Sequence, residues 1–92
     1  MWILRSAEAT FRLKSGAVKT VGRAPRADFV LDVALVSRVH CRLTASDNRL
    51  EVLDLKSTNG TFVNDKRIEK ANLVTGDRLR IGRVELAVDR QG

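Results

Sequence analysis

Apolar and polar residues alternate with a period of two along much of the chain. A period of two places one side of a strand in a core and the other side in solvent. The alternating apolar positions are Phe11 and Leu13; Val39, Cys41 and Leu43; Leu50 and Val52; Leu79 and Ile81; and Val84, Leu86 and Val88. The sequence therefore predicts several short, half-buried β-strands.

Closely spaced turn signals separate these strands. They are Lys14-Ser15-Gly16, Gly22 to Pro25, Ser46-Asp47-Asn48, Asn59-Gly60, Asn64-Asp65, Gly76-Asp77 and Gly82-Arg83. Such punctuation is typical of an antiparallel sandwich or barrel. No amphipathic helix is evident, and residues 67–74 are expected to hold a single helical turn at most. The predicted fold class is all-β.

The size and composition of the chain indicate one folded domain over residues 1–92. The chain has 92 residues, of which 43% are hydrophobic and 30% charged. This is enough apolar material for a core, whereas a second independent domain would need a longer chain. We find no repeat, low-complexity tract or linker.

The charge of the chain favours anionic partners. Lys and Arg number 17 against 11 Asp and Glu, a formal net charge of +6, but charge alone leaves nucleic acid, lipid headgroups and phosphorylated proteins open. The single cysteine, Cys41, cannot form an internal disulfide. Together with the single histidine, His40, it supplies too few ligands for a four-ligand zinc site. We therefore expect no metal, no cofactor and an intracellular setting. The N-terminal segment lacks a secretory signal pattern, and no apolar run is long enough for a membrane helix.

Three polar signatures interrupt the strand pattern: Gly22-Arg23, Ser37-Arg38-Val39-His40 and Ser57 to Asn64 (STNGTFVN). Each alone has an ordinary structural explanation. Gly22-Arg23 is typical of a turn with a solvated cation. Asn59-Gly60 favours a two-residue hairpin turn of type I′. His40 lies in a strand pattern and is a poor general base without a partner.

In this order, the three signatures resemble the forkhead-associated (FHA) domain family. The similarity includes residues 28–32 (DFVLD) and Gly76-Asp77, and it extends from about residue 18 to 88. The resemblance implies a β-sandwich of about eleven mostly antiparallel strands, which binds phosphothreonine peptides through loops at one end. The implied partner is a threonine-phosphorylated protein or peptide.

The resemblance also implies a role for each motif residue. Arg23, Ser37, Arg38 and Thr58 match positions that contact the phosphate, and guanidinium and hydroxyl donors suit its charge and acceptor oxygens. Asn59 matches a residue that holds the peptide main chain through its side-chain amide.

Three further positions are expected to support these contacts. Gly22 and Gly60 allow tight backbone conformations. His40 is expected to be buried and to tie the serine loop to the Asn-Gly loop, a bond that would fix the geometry of the contacting residues.

Two features depart from the family pattern or add to it. Residues 33–36 are apolar where the family usually has polar loop residues, and we expect them to pack on the sandwich rather than to form a pocket wall. Met1, Trp2 and Leu4 are similar to the start of nibrin, an FHA-bearing DNA-damage adaptor, which would imply a nuclear rather than a cytoplasmic location. We favour the interpretation of Trp2 as a core or edge-packing aromatic over this likeness.

Other functions remain as alternatives. An FHA fold used for phosphate-independent binding or self-association ranks second, and the sequence does not indicate an oligomeric state. A small basic β-barrel that binds nucleic acid ranks lower, because the four aromatic residues are too few to interleave with the basic ones. Direct nucleic-acid binding and membrane binding are not expected. No paired carboxylates or nucleophile motif indicate an enzyme.

Overall fold

Short β-strands make up the secondary structure of the protein, for which a computed structural model describes residues 1–91. The eleven strands are β1 (Trp2–Arg5), β2 (Thr10–Leu13), β3 (Val18–Gly22), β4 (Phe29–Val30), β5 (Cys41–Ala45), β6 (Leu50–Asp54), β7 (Thr61–Val63), β8 (Lys66–Ile68), β9 (Lys70–Leu73), β10 (Arg78–Ile81) and β11 (Val84–Arg90). The all-β prediction and the strand number implied by the resemblance are confirmed.

The strands form two sheets that face each other. The six-stranded sheet has the order β2-β1-β11-β10-β7-β8, and the five-stranded sheet has the order β4-β3-β5-β6-β9. β3 and β4 pair in parallel, whereas the other described pairings are antiparallel. The architecture is therefore a mostly antiparallel sandwich.

The alternation of apolar residues places the core between the sheets. In β11, Val84, Leu86 and Val88 are buried while Glu85 and Ala87 are exposed. β5 and β6 contribute Leu43 and Val52 from the opposite sheet. Burial of these inward faces is the main stabilising contribution to such a fold.

The N-terminal aromatic residue belongs to the same core. Trp2 is only 3% exposed, and its indole N–H donates to the Ser46 carbonyl at 2.9 Å. Close by, the backbone N–H of Gln91 donates to the Met1 carbonyl at 2.7 Å. The two ends of the described chain therefore lie side by side at one end of the sandwich.

The Asn59-Gly60 hairpin prediction is wrong. β6 belongs to the five-stranded sheet and β7 to the six-stranded sheet, so residues 55–60 cross between sheets rather than close a hairpin. Gly60 has a positive φ of 89° but Asn59 does not, whereas a type I′ turn requires both. The two-residue hairpin lies instead at Asn64 and Asp65, whose φ angles are 48° and 68°.

The single helical turn that residues 67–74 could have held is not formed. This segment continues β8 into β9, which pair with β7 and β6 respectively. Ile68 and Leu73 turn towards the core, so burial against two sheets overrides the local preference of a short segment. Within residues 1–91, the structure contains no helix with the length and apolarity needed to span a bilayer.

Candidate functional site

The three polar signatures meet at the end of the sandwich opposite Met1 and Gln91. β3 ends there at Gly22, β5 begins there after the segment 31–40, and residues 55–60 cross there from one sheet to the other. A pocket of about 240 Å³ opens between these connections. Its lining residues are Arg23, Leu35, Val36, Ser37, Thr58 and Asn59.

The pocket brings together four of the five residues that the sequence assigns to ligand contact. Arg23, Ser37, Thr58 and Asn59 all line it, although 36 positions separate the first from the last in the sequence. Arg38 is exposed beside Ser37 but is not among the lining residues. The structure thus gives the two arginines different positions relative to the pocket.

A close backbone approach places Arg23 beside the serine loop. The Arg23 N–H donates to the Ser37 carbonyl at 2.9 Å, and the Ala24 N–H donates to the Arg38 carbonyl at 3.0 Å. A Cβ atom on Gly22 would lie 2.1 Å from that Arg38 carbonyl oxygen. Glycine is therefore needed at position 22 for this approach rather than for a positive φ.

Ser37 joins the serine loop to the Asn-Gly loop directly. Its hydroxyl oxygen accepts the Thr58 backbone N–H at 3.0 Å. Because the oxygen is the acceptor in that bond, the hydroxyl proton is still available to a ligand. Thr58 is exposed, so its side chain is accessible at the same edge of the pocket.

His40 makes a second connection beneath the pocket. The side chain is fully buried, and its Nδ1 accepts the Ser37 backbone N–H at 3.0 Å. In the neutral ring the proton then lies on Nε2, which donates to the Gly60 carbonyl at 2.9 Å. One side chain thereby links the loop that carries Ser37 to the loop that carries Asn59.

Asp54 organises the crossover loop, a role that the sequence analysis missed. Its Oδ1 accepts the hydroxyl of Ser57 at 2.5 Å and that of Thr61 at 2.8 Å. The Ser57 oxygen in turn accepts the Gly60 N–H at 3.0 Å. The available signal was a carboxylate three residues before a serine, a spacing typical of side-chain-capped turns.

These hydrogen bonds change the pKa of Asp54. Partial burial by itself raises the pKa of this carboxyl, but the hydrogen bonds from Ser57 and Thr61 outweigh burial and hold the pKa below its usual value. The charged carboxylate is the better acceptor for two hydroxyls and an amide. Asp54 is therefore ionised where it holds the loop.

Asn59 and Leu35 close the remaining side of the pocket. One Asn59 amide hydrogen is donated to the Leu35 carbonyl at 3.0 Å, which leaves the other hydrogen and Oδ1 for a ligand. Leu35 has a φ of 73°, a conformation that costs roughly 1–2 kcal/mol for an L-residue. Its side chain is 45% exposed while that of Val36 is 3% exposed. The packing expected of residues 33–36 is thus correct for Val36 and wrong for Leu35.

A larger hollow of about 520 Å³ lies near the end of β6. Its lining residues are Leu53, Asp54, Leu55, Lys56, Glu69 and Lys70. None of the eight residues singled out in the sequence lines this hollow. We place the functional site at the smaller pocket because donors from three connections converge there.

The family model for the FHA domain matches residues 19–82. This match covers more than half of the chain and includes every motif residue described above. The chain belongs to the FHA family. Its segments outside the match contain β1, β2 and β11, which extend the six-stranded sheet of the FHA sandwich.

Curated relatives of this FHA chain are found in Mycobacterium tuberculosis. An ABC transporter ATP-binding/permease protein is 42% identical over 94% of the chain, and the glycogen accumulation regulator GarA is 39% identical over 76%. The chain spans only 10% and 43% of the lengths of these two proteins. The prediction of a nibrin-like protein in the nucleus finds no support among them.

A solved FHA structure agrees closely with this sandwich. It comes from a structural and functional analysis of phosphothreonine-dependent FHA domain interactions, with a TM-score of 0.91 and 31% identity. The superposition covers 99% of this chain and 97% of that one. The FHA fold implied by the sequence motifs is therefore confirmed over the length of the described chain.

Proposed function

We propose that this FHA chain is a phosphothreonine-dependent protein-interaction module. The observation that carries the proposal is the convergence of Arg23, Ser37 and Thr58 on one pocket. A phosphothreonine presents about two negative charges and three acceptor oxygens, which suit a guanidinium fork and hydroxyl donors. The phosphothreonine-dependent interactions of the related FHA structure support the same assignment.

We assign a role to each site residue from its position. Arg23, Ser37 and Thr58 bind the phosphate, and Arg38 adds positive potential from outside the pocket. Asn59 binds the peptide main chain through the amide hydrogen and oxygen that its bond to Leu35 leaves free. Gly22, His40 and Gly60 hold the loops in place. No group in this arrangement is assigned to catalysis.

The partner is a threonine-phosphorylated protein inside the cell. One relative of the chain is named an oxoglutarate dehydrogenase inhibitor, a name that describes action on another protein. Residues 1–92 act as one FHA domain, because the inward faces of both sheets contribute to a single hydrophobic cluster. Phosphate-independent binding remains an outcome of the test below.

The test compares a phosphothreonine peptide, selected from a degenerate library, with its unphosphorylated twin by calorimetric titration. We expect only the phosphorylated peptide to bind. Arg23→Ala should weaken its binding by roughly 2–5 kcal/mol, because truncating one member of a desolvated charge pair leaves the other unpaired. The size of this loss separates a phosphate contact from general attraction by a basic chain.

Arg90→Ala is the matched control. Arg90 lies at the opposite end of the sandwich, where its guanidinium carbon is 5.7 Å from the Trp2 ring centroid, so the change removes the same charge away from the pocket. We expect little change in peptide affinity. Equal binding of both peptides to the wild-type chain would overturn the proposal, and so would equal losses in the two variants.

A further inference from the structure

The outward side of the six-stranded sheet carries a cluster of arginines that the phosphate pocket does not use. Successive residues of a strand point to opposite faces, and in β10 Leu79 and Ile81 point inward while Arg78 and Arg80 point outward. The same parity places further arginines on this side from three other strands. The set, which we call the arginine face, is Arg5, Arg12, Arg67, Arg78 and Arg80.

Few carboxylates neutralise the arginine face. Glu85 and Asp89 share the outward side of the sheet, against five arginines. Arg78 contacts Glu85 at 3.0 Å, and Arg80 is 3.9 Å from Asp65 in the adjacent turn. Within residues 1–91, Arg67 makes no ion pair. Positive charge therefore exceeds negative charge along the arginine face, and on β8 Arg67 adds a cation that no carboxylate among the described residues pairs with.

The end of the arginine face next to the pocket contains an ordered row of side chains. Register places Arg80 opposite Phe62 and Phe62 opposite Arg67. The Arg80 guanidinium carbon lies 4.2 Å from the centre of the Phe62 ring, a distance that allows cation–π attraction. The ring thus holds Arg80 in a defined position instead of leaving it free in solvent.

This row lies against the loop that contributes Asn59 to the pocket. A Cβ atom placed on Gly60 would be 2.9 Å from the Arg67 Nε and 3.2 Å from the Phe62 ring. Arg67 therefore covers Gly60, the residue that follows Asn59 in the sequence. The arginine face and the peptide-binding edge of the pocket are continuous at this glycine.

We propose that the row of Arg67, Phe62 and Arg80 is a second docking site, which binds an acidic segment of the phosphorylated partner. The inference rests on the proposed function, because it assumes a peptide held at Asn59. Three neighbouring strands span roughly 10 Å, and three to four extended residues cover that distance. An acidic stretch within a few residues of the phosphothreonine would therefore reach both arginines.

An acidic protein segment fits this surface better than nucleic acid does. Strands that bind single-stranded nucleic acid stack bases on several exposed aromatics, whereas Phe62 is half-buried and its ring lies against Arg80. Asp65 and Glu85 border the row and confine its positive charge to a short patch, which suits a short anionic segment better than a long phosphate backbone. A short cluster of Asp or Glu side chains needs only the two guanidinium groups.

The test uses the 92-residue chain and a set of phosphothreonine peptides with one common core selected from the library. One peptide is the core alone, and two carry an Asp/Glu tetrapeptide after a two-residue Gly-Ser spacer, at either the N-terminal or the C-terminal side. Two more carry Ser tetrapeptides at the same sides. Binding at low and at high ionic strength is compared among them.

We expect the acidic extension on one side to raise affinity about five- to tenfold over the Ser extension at low ionic strength, and the gain to fade in high salt. The double variant Arg67→Glu with Arg80→Glu should abolish this gain, and it should lower affinity for the core peptide no more than the equal-charge control variant does. Arg67→Gln with Arg80→Gln should give an intermediate loss. The control, Arg42→Glu with Arg49→Glu, changes net charge equally but away from the six-stranded sheet, and it should retain the gain.

The outcomes separate this inference from the proposed function. Core binding without any gain from either acidic extension overturns the docking site alone, and so does a gain that survives both charge-changing variants of the row. Binding of an unphosphorylated acidic peptide that is lost in the Arg67→Glu, Arg80→Glu variant supports the docking site and overturns the phosphothreonine requirement. Competition by a single-stranded RNA oligonucleotide better than by the acidic peptide would overturn the choice of partner.

Discussion

Single side chains hold the loops of the site in place. His40 bonds to Ser37 through one ring nitrogen and to Gly60 through the other. Asp54 accepts two hydroxyls on either side of the same glycine. Neither side chain lines the pocket, yet both fix the positions of residues that do. Precise placement of contacting groups by such supporting bonds is a general requirement of binding sites.

The Asp54 carboxylate should make stability depend on pH. Its pKa in the folded protein is held below the value of 3.8 for a free side chain, so the unfolded state binds the proton more readily. The ionised carboxylate therefore contributes its full stabilisation above about pH 3.8, the pKa in the unfolded state. This contribution is lost as the pH falls through the lower pKa of the folded state. When urea unfolding is measured between pH 5 and pH 2, the free energy of unfolding should fall less steeply with decreasing pH in the Asp54→Asn variant than in the wild-type chain.

Asp28 provides the comparison for this experiment. Its pKa is also lowered, mainly by hydrogen bonds from Thr20, at a position separate from the crossover loop. The Asp28→Asn substitution should also make the free energy of unfolding less dependent on pH. Because the two sites are separate, the effects of Asp28→Asn and Asp54→Asn should add. An unchanged slope in Asp54→Asn would contradict the role given to its hydrogen bonds.

Some residues at the pocket can be recognised from the sequence and others cannot, for physical reasons. Arg23, Ser37 and Asn59 stand out because each belongs to a recognisable motif beside a predicted connection. Asp54 belongs to no such motif, because it is the last residue of an ordinary strand. Its hydrogen-bond partners Ser57 and Thr61 come close to it only when the loop folds. The separation of Arg38 from the pocket lining likewise depends on the direction of the chain after Ser37, which composition does not encode.

At the scale of elements, the approach of β3 to the serine loop depends on one missing Cβ atom. The Arg38 carbonyl would lie 2.1 Å from a Cβ on Gly22, and backbone atoms cannot rotate away as a side chain can. Gly22→Ala should therefore destabilise the fold by about 1–3 kcal/mol or more through steric conflict. It should also weaken phosphopeptide binding, since the displaced segment carries Ser37.

The matched control for this change is Gly76→Ala. Gly76 has a φ of 96° and no atom within 4 Å of a built Cβ, and it lies in the β9–β10 turn away from the pocket. In the Gly76→Ala variant, backbone strain at this positive φ should lower the stability of the fold, while affinity for the peptide is retained. Chemical denaturation paired with titration separates the two effects, and a Gly22→Ala chain with unchanged affinity would rule out the proposed coupling to Ser37.

Strand prediction succeeded where alternation was strong and failed where short segments were ambiguous. β5, β6, β10 and β11 follow directly from buried and exposed positions at a period of two. The pair Asn59-Gly60 has the composition of a hairpin turn, but the sheet to which the next strand belongs is decided by long-range pairing. β8 and β9 have three and four residues, too few for a period to be distinguished from a helical turn.

At the scale of the whole molecule, the residues that we propose to contact a phosphopeptide lie in connections next to both sheets. Arg23 follows β3 of the five-stranded sheet, whereas Thr58 and Asn59 precede β7 of the six-stranded sheet. Ligand at about 100 times its dissociation constant adds about 2.7 kcal/mol to global stability. Amides of β5 and β10 that exchange only by global unfolding should therefore slow about 100-fold together.

Hydrogen exchange with and without a phosphothreonine peptide checks this expectation. The Arg23→Ala chain at the same peptide concentration is the control, and its core amides should show much less slowing. Protection limited to the five-stranded sheet, or to the loops, would indicate that the peptide does not hold both sheets.

The positions of the chain ends give this arrangement a mechanical meaning. Met1 and Gln91 lie next to each other, across the length of the strands from the pocket. Tension between a tethered partner and anything attached to either end would run roughly parallel to the strands. Such a pull shears many ladder hydrogen bonds at once instead of breaking them one after another, so the sandwich is oriented to resist force along the axis that joins its partner to its own chain.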